Sequence, residues 1–387
     1  MRTRTQLSRV GKIAPMRQRA KRIVILCPLL LLVMIAGCAM LDTSMPRSDS
    51  TSASTRLDAL LRDYSGRGPG AAVLVLRDGQ VLAKRGYGLA DLEAGTAITP
   101  DSHFRLASIS KQFTAAAILL LAQEGKLNLD DPAAQWLPSL PPALREITLH
   151  QLLTHSAGVI DYEDLMPADT TEQEITDQDP DEQVHDADVL RLLEGENRRY
   201  FAPGSRYRYS NSGYALLALV VEQASGLRYP VFLRERIFTP LGMRSVAFES
   251  GLATVPDRVY GYSQREGGWT RTDQSSTSAV LGDGGIYASI EDLAKWDAAL
   301  YDDRLLSDTM RRAAFTAHVR VTDETDVDGY GYGWRVRGEQ RWHSGETIGF
   351  RNVIVRWPQE RYTVVVLSNR NDPEPYSLAL KIAALYR

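Results

Sequence analysis

Short apolar runs and helical stripes alternate along this chain in an order that already constrains its fold. From Thr55 to Tyr64 the spacing of Leu57, Leu60 and Leu61 predicts a short amphipathic helix. Ala71 to Arg77 and Val81 to Gly88 are strand-like runs separated by Asp78-Gly79-Gln80, a hairpin signal. Ala115 to Ala122 is apolar all round and closes at Gly125, the pattern of a buried helix with a glycine stop. Helical patterns recur from Tyr214 to Ala224 ahead of Gly226, and from Ile290 to Leu300 behind Ser289 as a cap. Strand signals return at Gly331 to Arg337, Phe350 to Trp357 and Tyr362 to Leu367, and a last helix is predicted from Tyr376 to Tyr386. Strands near both ends with helices between them predict an α+β fold. Its antiparallel sheet would draw on about 55–105 and 280–387, with a helical region inserted at about 106–279.

The first residues follow a different pattern. Residues 1–22 carry eight Lys or Arg and no acid, and an apolar run from Ile23 to Gly37 follows. At 15 residues, with Pro28 inside it, this run is shorter than the roughly 20 residues a membrane-spanning helix needs. Residues 1–37 therefore read as a secretory signal. The small residues of Ile35-Ala36-Gly37-Cys38 resemble a bacterial lipoprotein signal, in which Cys38 would be lipidated and open the mature chain. Residues 38–54, rich in Ser, Thr and Asp, read as a flexible tether, and 55–387 as the folded domain. The expected location is a periplasm-facing membrane held through that lipid.

Removing residues 1–37 takes eight positive charges from a chain of net charge −3 and leaves −11, which argues against nucleic acid as a partner. The chain has two cysteines; Cys27 would leave with the signal and Cys38 would carry lipid, so no disulfide is expected. Asp161 to Asp188 holds twelve acids and no Lys or Arg and reads as a solvated surface loop. Its Asp177, Asp179, Asp181 and Asp188 faintly echo a calcium loop, but Glu182 stands where the sharp-turn glycine belongs and Pro180 intrudes. No cofactor or metal is expected, since the six histidines show no H-x-x-x-H or H-x-H pairing.

Three motifs carry the chemistry: Ser108-Ile109-Ser110-Lys111, Tyr209-Ser210-Asn211 and His343-Ser344-Gly345, each occurring once. Alone, Ser-x-x-Lys carries little, because about one match arises by chance in a chain this long. In order, they supply a complete acyl-transfer site. A serine hydroxyl must lose its proton as it attacks. Lys111, three residues on at the start of a helix, shares a face with Ser108, and burial would favour its neutral, basic form. Tyr209 near that amine could shuttle protons, and Asn211 could hold Lys111 and meet the substrate's amide. A tetrahedral intermediate needs two donors at its oxygen, for which the backbone N–H groups of Ser108 and Glu346, just past Gly345, are candidates. His155, in Leu152-Leu153-Thr154-His155-Ser156-Ala157-Gly158, reads as a buttress of a turn.

These residues resemble the serine β-lactamase and penicillin-binding protein superfamily, specifically its class C-like branch of D,D-carboxypeptidases, D-aminopeptidases and esterases. Pro240-Leu241-Gly242-Met243, Gly284-Gly285 and Gly349-Phe350 add to the likeness, which runs from about residue 55 to the end. It implies a β-lactamase-like fold: an antiparallel five-stranded sheet flanked by helices, an all-helical region, and a site between them. It also implies an acyl-enzyme on Ser108, with Lys111 and Tyr209 sharing proton transfer. Class C lactamases carry Lys where His343 stands, so strong lactamase activity is not expected. A protonated His343 is expected to aid carboxylate binding only as pH falls towards about 6. No counterpart of the deacylating Glu loop of class A enzymes is identifiable.

The expected function is a serine hydrolase of a peptide-like amide or ester. The alternatives are an esterase of the same fold and a non-catalytic module binding cell-wall peptides or penicillins, which would not need Ser108, Lys111 and Tyr209 together. The absence of G-x-S-x-G excludes an α/β-hydrolase elbow. Arg335, Arg337 and Arg351 are candidates to contact the leaving group.

Overall fold

Strands that are apolar on both faces have to be covered on both sides, and this sets the architecture. The computed structural model describes residues 48–167, 183–248 and 254–387. The signal segment, Cys38 and the start of the tether lie outside them, as do Asp177, Asp179, Asp181 and Glu182. Strands β1 (Ala71–Arg77), β2 (Gln80–Tyr87), β3 (Val319–Arg320), β4 (Gly329–Tyr330), β5 (Arg335–Arg337), β6 (Gln340–Thr347), β7 (Phe350–Trp357) and β8 (Tyr362–Ser368) form one sheet. Their order is β3-β4-β5-β6-β7-β8-β1-β2, antiparallel throughout.

The alternation of side chains along a strand sorts the sheet into two cores. Val73, Val75, Val353, Val355, Val364 and Val366 face helices α1 (Ser48–Leu60) and α5 (Tyr376–Tyr386), where Leu57, Leu61, Ala379 and Ile382 complete the layer. Ala72, Leu74, Ile354, Val365 and Leu367 face the opposite way, onto the larger core. That core holds α2 (Lys111–Gln123), α3 (Asn211–Ser225) and α4 (Ile290–Ala299). The termini thus supply the sheet and the middle of the chain the helical side.

Three expectations need adjustment. Among the described residues the sheet has eight strands rather than five; five are long (β6, β7, β8, β1 and β2), and three short ones extend the edge beyond β6. Only Arg335–Arg337 of the predicted Gly331–Arg337 strand pairs, because Gly333 turns with φ +76 against the first residues of α2. Helix α1 begins at Ser48, inside the stretch read as a tether, where Ala53 joins Leu57 and Leu61 in burial.

The acidic stretch is not a solvated loop at its ends. Tyr162 and Asp186 are buried, and the Asp186 carboxylate accepts from the N–H groups of Leu281 and Gly282, at 2.9 and 3.0 Å. Backbone donors that would otherwise be unsatisfied draw the carboxylate inward. Asp188 accepts from the His185 N–H, also within the helix start rather than in a cation loop. Among the described residues no group of His, Cys, Asp and Glu could hold a metal ion.

Candidate active site

Ser108 lies in a 3-10 turn, Ala107–Ser110, that runs directly into α2, making Lys111 the first residue of the helix. Of the four turn residues only Ser108 is not buried. Ala107 before it has φ +49, a left-handed conformation that costs a non-glycine residue on the order of 1–3 kcal/mol. The surroundings impose it. Leu106 N–H donates to Ile286 O at 2.8 Å, Asn352 Nδ2 donates to Arg105 O at 2.8 Å, and Ile286 N–H donates to Ser110 Oγ at 3.2 Å. The turn is pinned on both sides of the serine.

Lys111 is fully buried, with Nζ 3.1 Å from Ser108 Oγ, 2.8 Å from Asn211 Oδ1 and 3.0 Å from Asp283 O. The last two are pure acceptors and each requires an N–H. The third direction meets a hydroxyl, which can accept from an ammonium or donate to an amine. The same geometry therefore serves both ends of a proton transfer. Asp283 O is held in place because Asp186 fixes the two residues before it. Burial raises both the Asp186 and Asp283 carboxyls to about 7.

Asn211 opens α3 rather than capping it with its side chain. Its N–H donates to Asp161 Oδ2 at 2.6 Å, which frees the carboxamide to hold Lys111 through Oδ1 and reach Glu163 Oε1 through Nδ2 at 3.3 Å. Tyr209 stacks on His155 with centroids 4.2 Å apart and planes at 32°. Lys111 Nζ sits 4.9 Å from the Tyr209 ring centroid, and the phenol oxygen is buried with no hydrogen-bond partner among the described residues. His155 acts as the buttress expected of it: Nδ1 accepts from Ser210 N–H at 3.1 Å and its carbonyl accepts from Arg208 N–H at 3.0 Å. Burial, aided by the charge of Lys111, holds the His155 pKa well below the usual histidine range.

The third wall is β6. A two-residue connection joins Thr347 to Phe350, so the hydrogen-bonded pairs with β7 fall on Thr347, Gly345 and His343. Ser344 and Glu346 consequently turn their backbone groups to the other edge. There β5 pairs only as far as Trp342, leaving the Glu346 N–H at a free edge. Gly345 is what lets this edge reach the serine: a Cβ there would lie 1.9 Å from Leu106 O and 3.3 Å from Ile109 N. The Ser108 N–H belongs to the first turn of a helix, where no intrahelical acceptor exists. Ser108, Tyr209, Asn211, His343, Ser344 and Glu346 line one cavity of about 330 Å³, with Glu163 and Arg335. That volume suits a small ligand.

The expectation for His343 fails. Its ring is buried, Nδ1 lies 2.5 Å from Ser344 O and Nε2 2.9 Å from the Tyr330 hydroxyl. Facing a carbonyl, Nδ1 carries the proton, and Nε2 accepts from Tyr330. Burial, then the charges of Arg335 and Lys111, pushes the His343 pKa well below the usual range. A depressed pKa works against the imidazolium that a counter-ion role for the carboxylate would require. The permanent cation of the cavity is Arg335, whose Nη2 lies 3.3 Å from Glu324. Arg337 pairs instead with Asp326, and Arg351 with carbonyls of Thr347 and Phe350. Asp161, Tyr162, Glu163 and Asp283 were not anticipated at the site. The signals were present, in an acidic run that begins three residues after Gly158 and in a Gly-Asp-Gly-Gly sequence at 282–285.

The fold and this arrangement define a member of the serine β-lactamase and penicillin-binding protein superfamily. Residues 57–386 match the family described as Beta-lactamase, and the chain belongs to it. Penicillin-binding protein 4* of Bacillus subtilis (strain 168) is 30% identical over 331 residues, covering 81% of this chain and 70% of that protein. The D-aminopeptidase of Gluconobacter oxydans (strain 621H) is 29% identical over 343 residues, covering 87% of this chain and 62% of that one, so this chain spans less than two thirds of its length. The octameric penicillin-binding protein homologue from Pyrococcus abyssi superimposes with a TM-score of 0.73 at 27% identity, covering 87% and 77% of the two chains.

Proposed function

We propose that this chain is a serine hydrolase that forms an acyl-enzyme on Ser108 and cleaves a peptide-like amide or ester. The observation that carries the reading is the 3.1 Å contact between the buried Lys111 amine and the one accessible hydroxyl of its turn, inside a cavity walled by Tyr209, Asn211 and the free edge of β6. Ser108 Oγ attacks the carbonyl carbon while its proton passes to Lys111. The negative oxygen of the tetrahedral intermediate lies against the N–H groups of Ser108 and Glu346. Collapse breaks the bond to the leaving amine or alcohol, which takes the proton held on Lys111 by way of Tyr209, a buried phenol with no hydrogen-bond partner among the described residues. Water then attacks the acyl carbon, the ester bond to Ser108 breaks, and the serine recovers its proton. Relatives that include a penicillin-binding protein and a D-aminopeptidase support an amide-containing, peptide-like substrate. The basic, apolar segment ending at Cys38 supports export and a lipid anchor on the periplasmic side of a membrane.

Turnover of a chromogenic ester and of an anilide by Ser108→Ala tests this reading. A loss of at least about 10³-fold with an unchanged melting temperature is expected. Full activity in that variant removes Ser108 as the nucleophile.

A further inference from the structure

A recess of about 60 Å³ beside Ser108 is lined in part by Asp283, and an outer cavity of about 150 Å³ by Asp186, Glu222, Tyr229 and Leu281 among others. The two share no lining residue, and Leu281-Gly282-Asp283 runs between them. This short segment is gripped from both sides. Asp186, which opens the helix Asp186–Glu194, is buried and accepts from Leu281 N–H through Oδ2 at 2.9 Å and from Gly282 N–H through Oδ1 at 3.0 Å. From α2, Thr114 Oγ1 donates to Gly282 O at 2.6 Å and accepts from the Tyr229 hydroxyl at 2.6 Å. Only a glycine allows so close an approach: a Cβ at Gly282 would lie 2.3 Å from Tyr214 O and 3.0 Å from Asp186 Oδ1. The next carbonyl, Asp283 O, receives Lys111 Nζ at 3.0 Å.

We infer that Asp186 is a positioning residue for the reaction: its carboxylate, outside the catalytic cavity, sets the Asp283 carbonyl that aims the Lys111 amine at Ser108. This rests on the acyl-serine reading and adds to it a residue that touches no reacting atom. The dependence is on charge. A carboxylate only accepts and so matches two N–H groups, whereas the neutral acid carries an O–H on one oxygen and leaves one N–H facing a donor. A buried N–H without an acceptor is costly, so the segment shifts to relieve it. That shift is passed to Asp283 O, and from there to the amine 3.1 Å from Ser108 Oγ. Burial raises the Asp186 carboxyl to about 7, although both N–H groups hold it down, so the change falls in an ordinary working range. The groups that face Asp186 are Glu222 on α3, whose charge adds to the rise, Arg228 and Tyr229 just beyond α3, His185 beside it in the chain, and Asp283 on the gripped segment.

The test is kcat/KM on a chromogenic ester between about pH 5 and 9, per folded molecule, for the wild type, Asp186→Asn, Glu222→Gln and Ser108→Ala. Asparagine mimics the neutral acid, since its NH₂ also meets one N–H with a donor. The ratio of wild type to Asp186→Asn should therefore stay within about twofold at pH 5 and reach about tenfold or more at pH 9. Other titrating groups are common to both proteins and cancel from the ratio. A ratio that is the same at both ends overturns the inference, because a merely structural loss lowers activity alike across the range. Glu222→Gln keeps the acceptor for Tyr229 N–H, at 2.7 Å, and removes the charge that faces Asp186. Its acid limb should move to lower pH by about 0.3 unit or more. This variant decides if Asp186→Asn does not fold, and an unmoved limb then overturns the inference. Ser108→Ala should be inactive at every pH; turnover there refutes the acyl-serine reading, a failure distinct from a flat ratio at Asp186.

Discussion

Replacing Gly345 by alanine gives the sharpest separation between fold and function that this architecture offers. The added methyl would sit 1.9 Å from Leu106 O, and contacts of a Cβ below 3.0 Å essentially do not occur. Strand β6 and the turn before Ser108 must therefore part by more than about 1 Å, since the obstructing atom is backbone and cannot rotate away. Neither side yields freely. The turn is pinned by Ile286 and Asn352, and β6 is paired with β7 along its whole length. The displacement falls between the Glu346 N–H and Ser108. A misplacement of about 1 Å can cost roughly 10²-fold in rate, and loss of one donor to a developing oxyanion costs about 10²–10³-fold. We expect kcat/KM of Gly345→Ala on a chromogenic ester to fall at least about 100-fold, mostly in kcat, with the far-ultraviolet dichroism of the wild type retained. Activity within threefold of wild type would show that β6 does not need to approach the serine, and would refute the oxyanion geometry.

Two further outcomes follow from the charges. Arg335→Met should raise KM for substrates bearing a carboxylate by about tenfold relative to neutral ones, because Arg335 and not His343 is the cavity's standing cation; steady-state kinetics on a matched acid and amide pair would show equal effects if this is wrong. Asp283 is buried with its pKa raised to about 7 from an ordinary 3.8, so the folded state keeps a proton that the unfolded state has lost. Its contribution to stability is complete below about pH 4 and declines as pH rises through about 7, by on the order of 2–4 kcal/mol. Asp283→Asn should therefore match the wild type near pH 4 and melt roughly 3–6 °C higher at pH 8.5. A melting difference that is the same at both pH values contradicts the assignment.

The parts of this protein that could be read along the chain are those set by local pattern. Continuous apolar runs at Ala71–Arg77, Phe350–Trp357 and Tyr362–Ser368 are strands because both faces are buried, and Gly125 and Gly226 end their helices with φ +70 and +73. Strand β6 gives only a weak local signal, at whose end the His343-Ser344-Gly345 motif stands, because Gln340-Arg341-Trp342-His343-Ser344-Gly345-Glu346-Thr347 is polar; its register comes from β7, and the polarity of its last residues from facing the cavity. The three motifs point to the site because reactive groups are held by chemically specific neighbours. The environment of His343 was not readable, since it depends on burial, on a hydrogen bond with Tyr330 and on the nearby charge of Arg335, which meet it only in three dimensions. Glu163 was hidden by company: amid twelve acids, nothing local separates one that enters the cavity from those that face solvent.

The central claim is that one oxygen, Ser108 Oγ, becomes acylated. Intact-mass spectrometry after exposure to a penicillin, a D-alanyl-D-alanine peptide and a short-chain ester addresses it directly, with peptide mapping to locate any adduct. The account predicts a covalent acyl adduct with at least one of the three, mapped to Ser108 and missing from Ser108→Ala. An adduct that persists in that variant, or one located on a different residue, would contradict it.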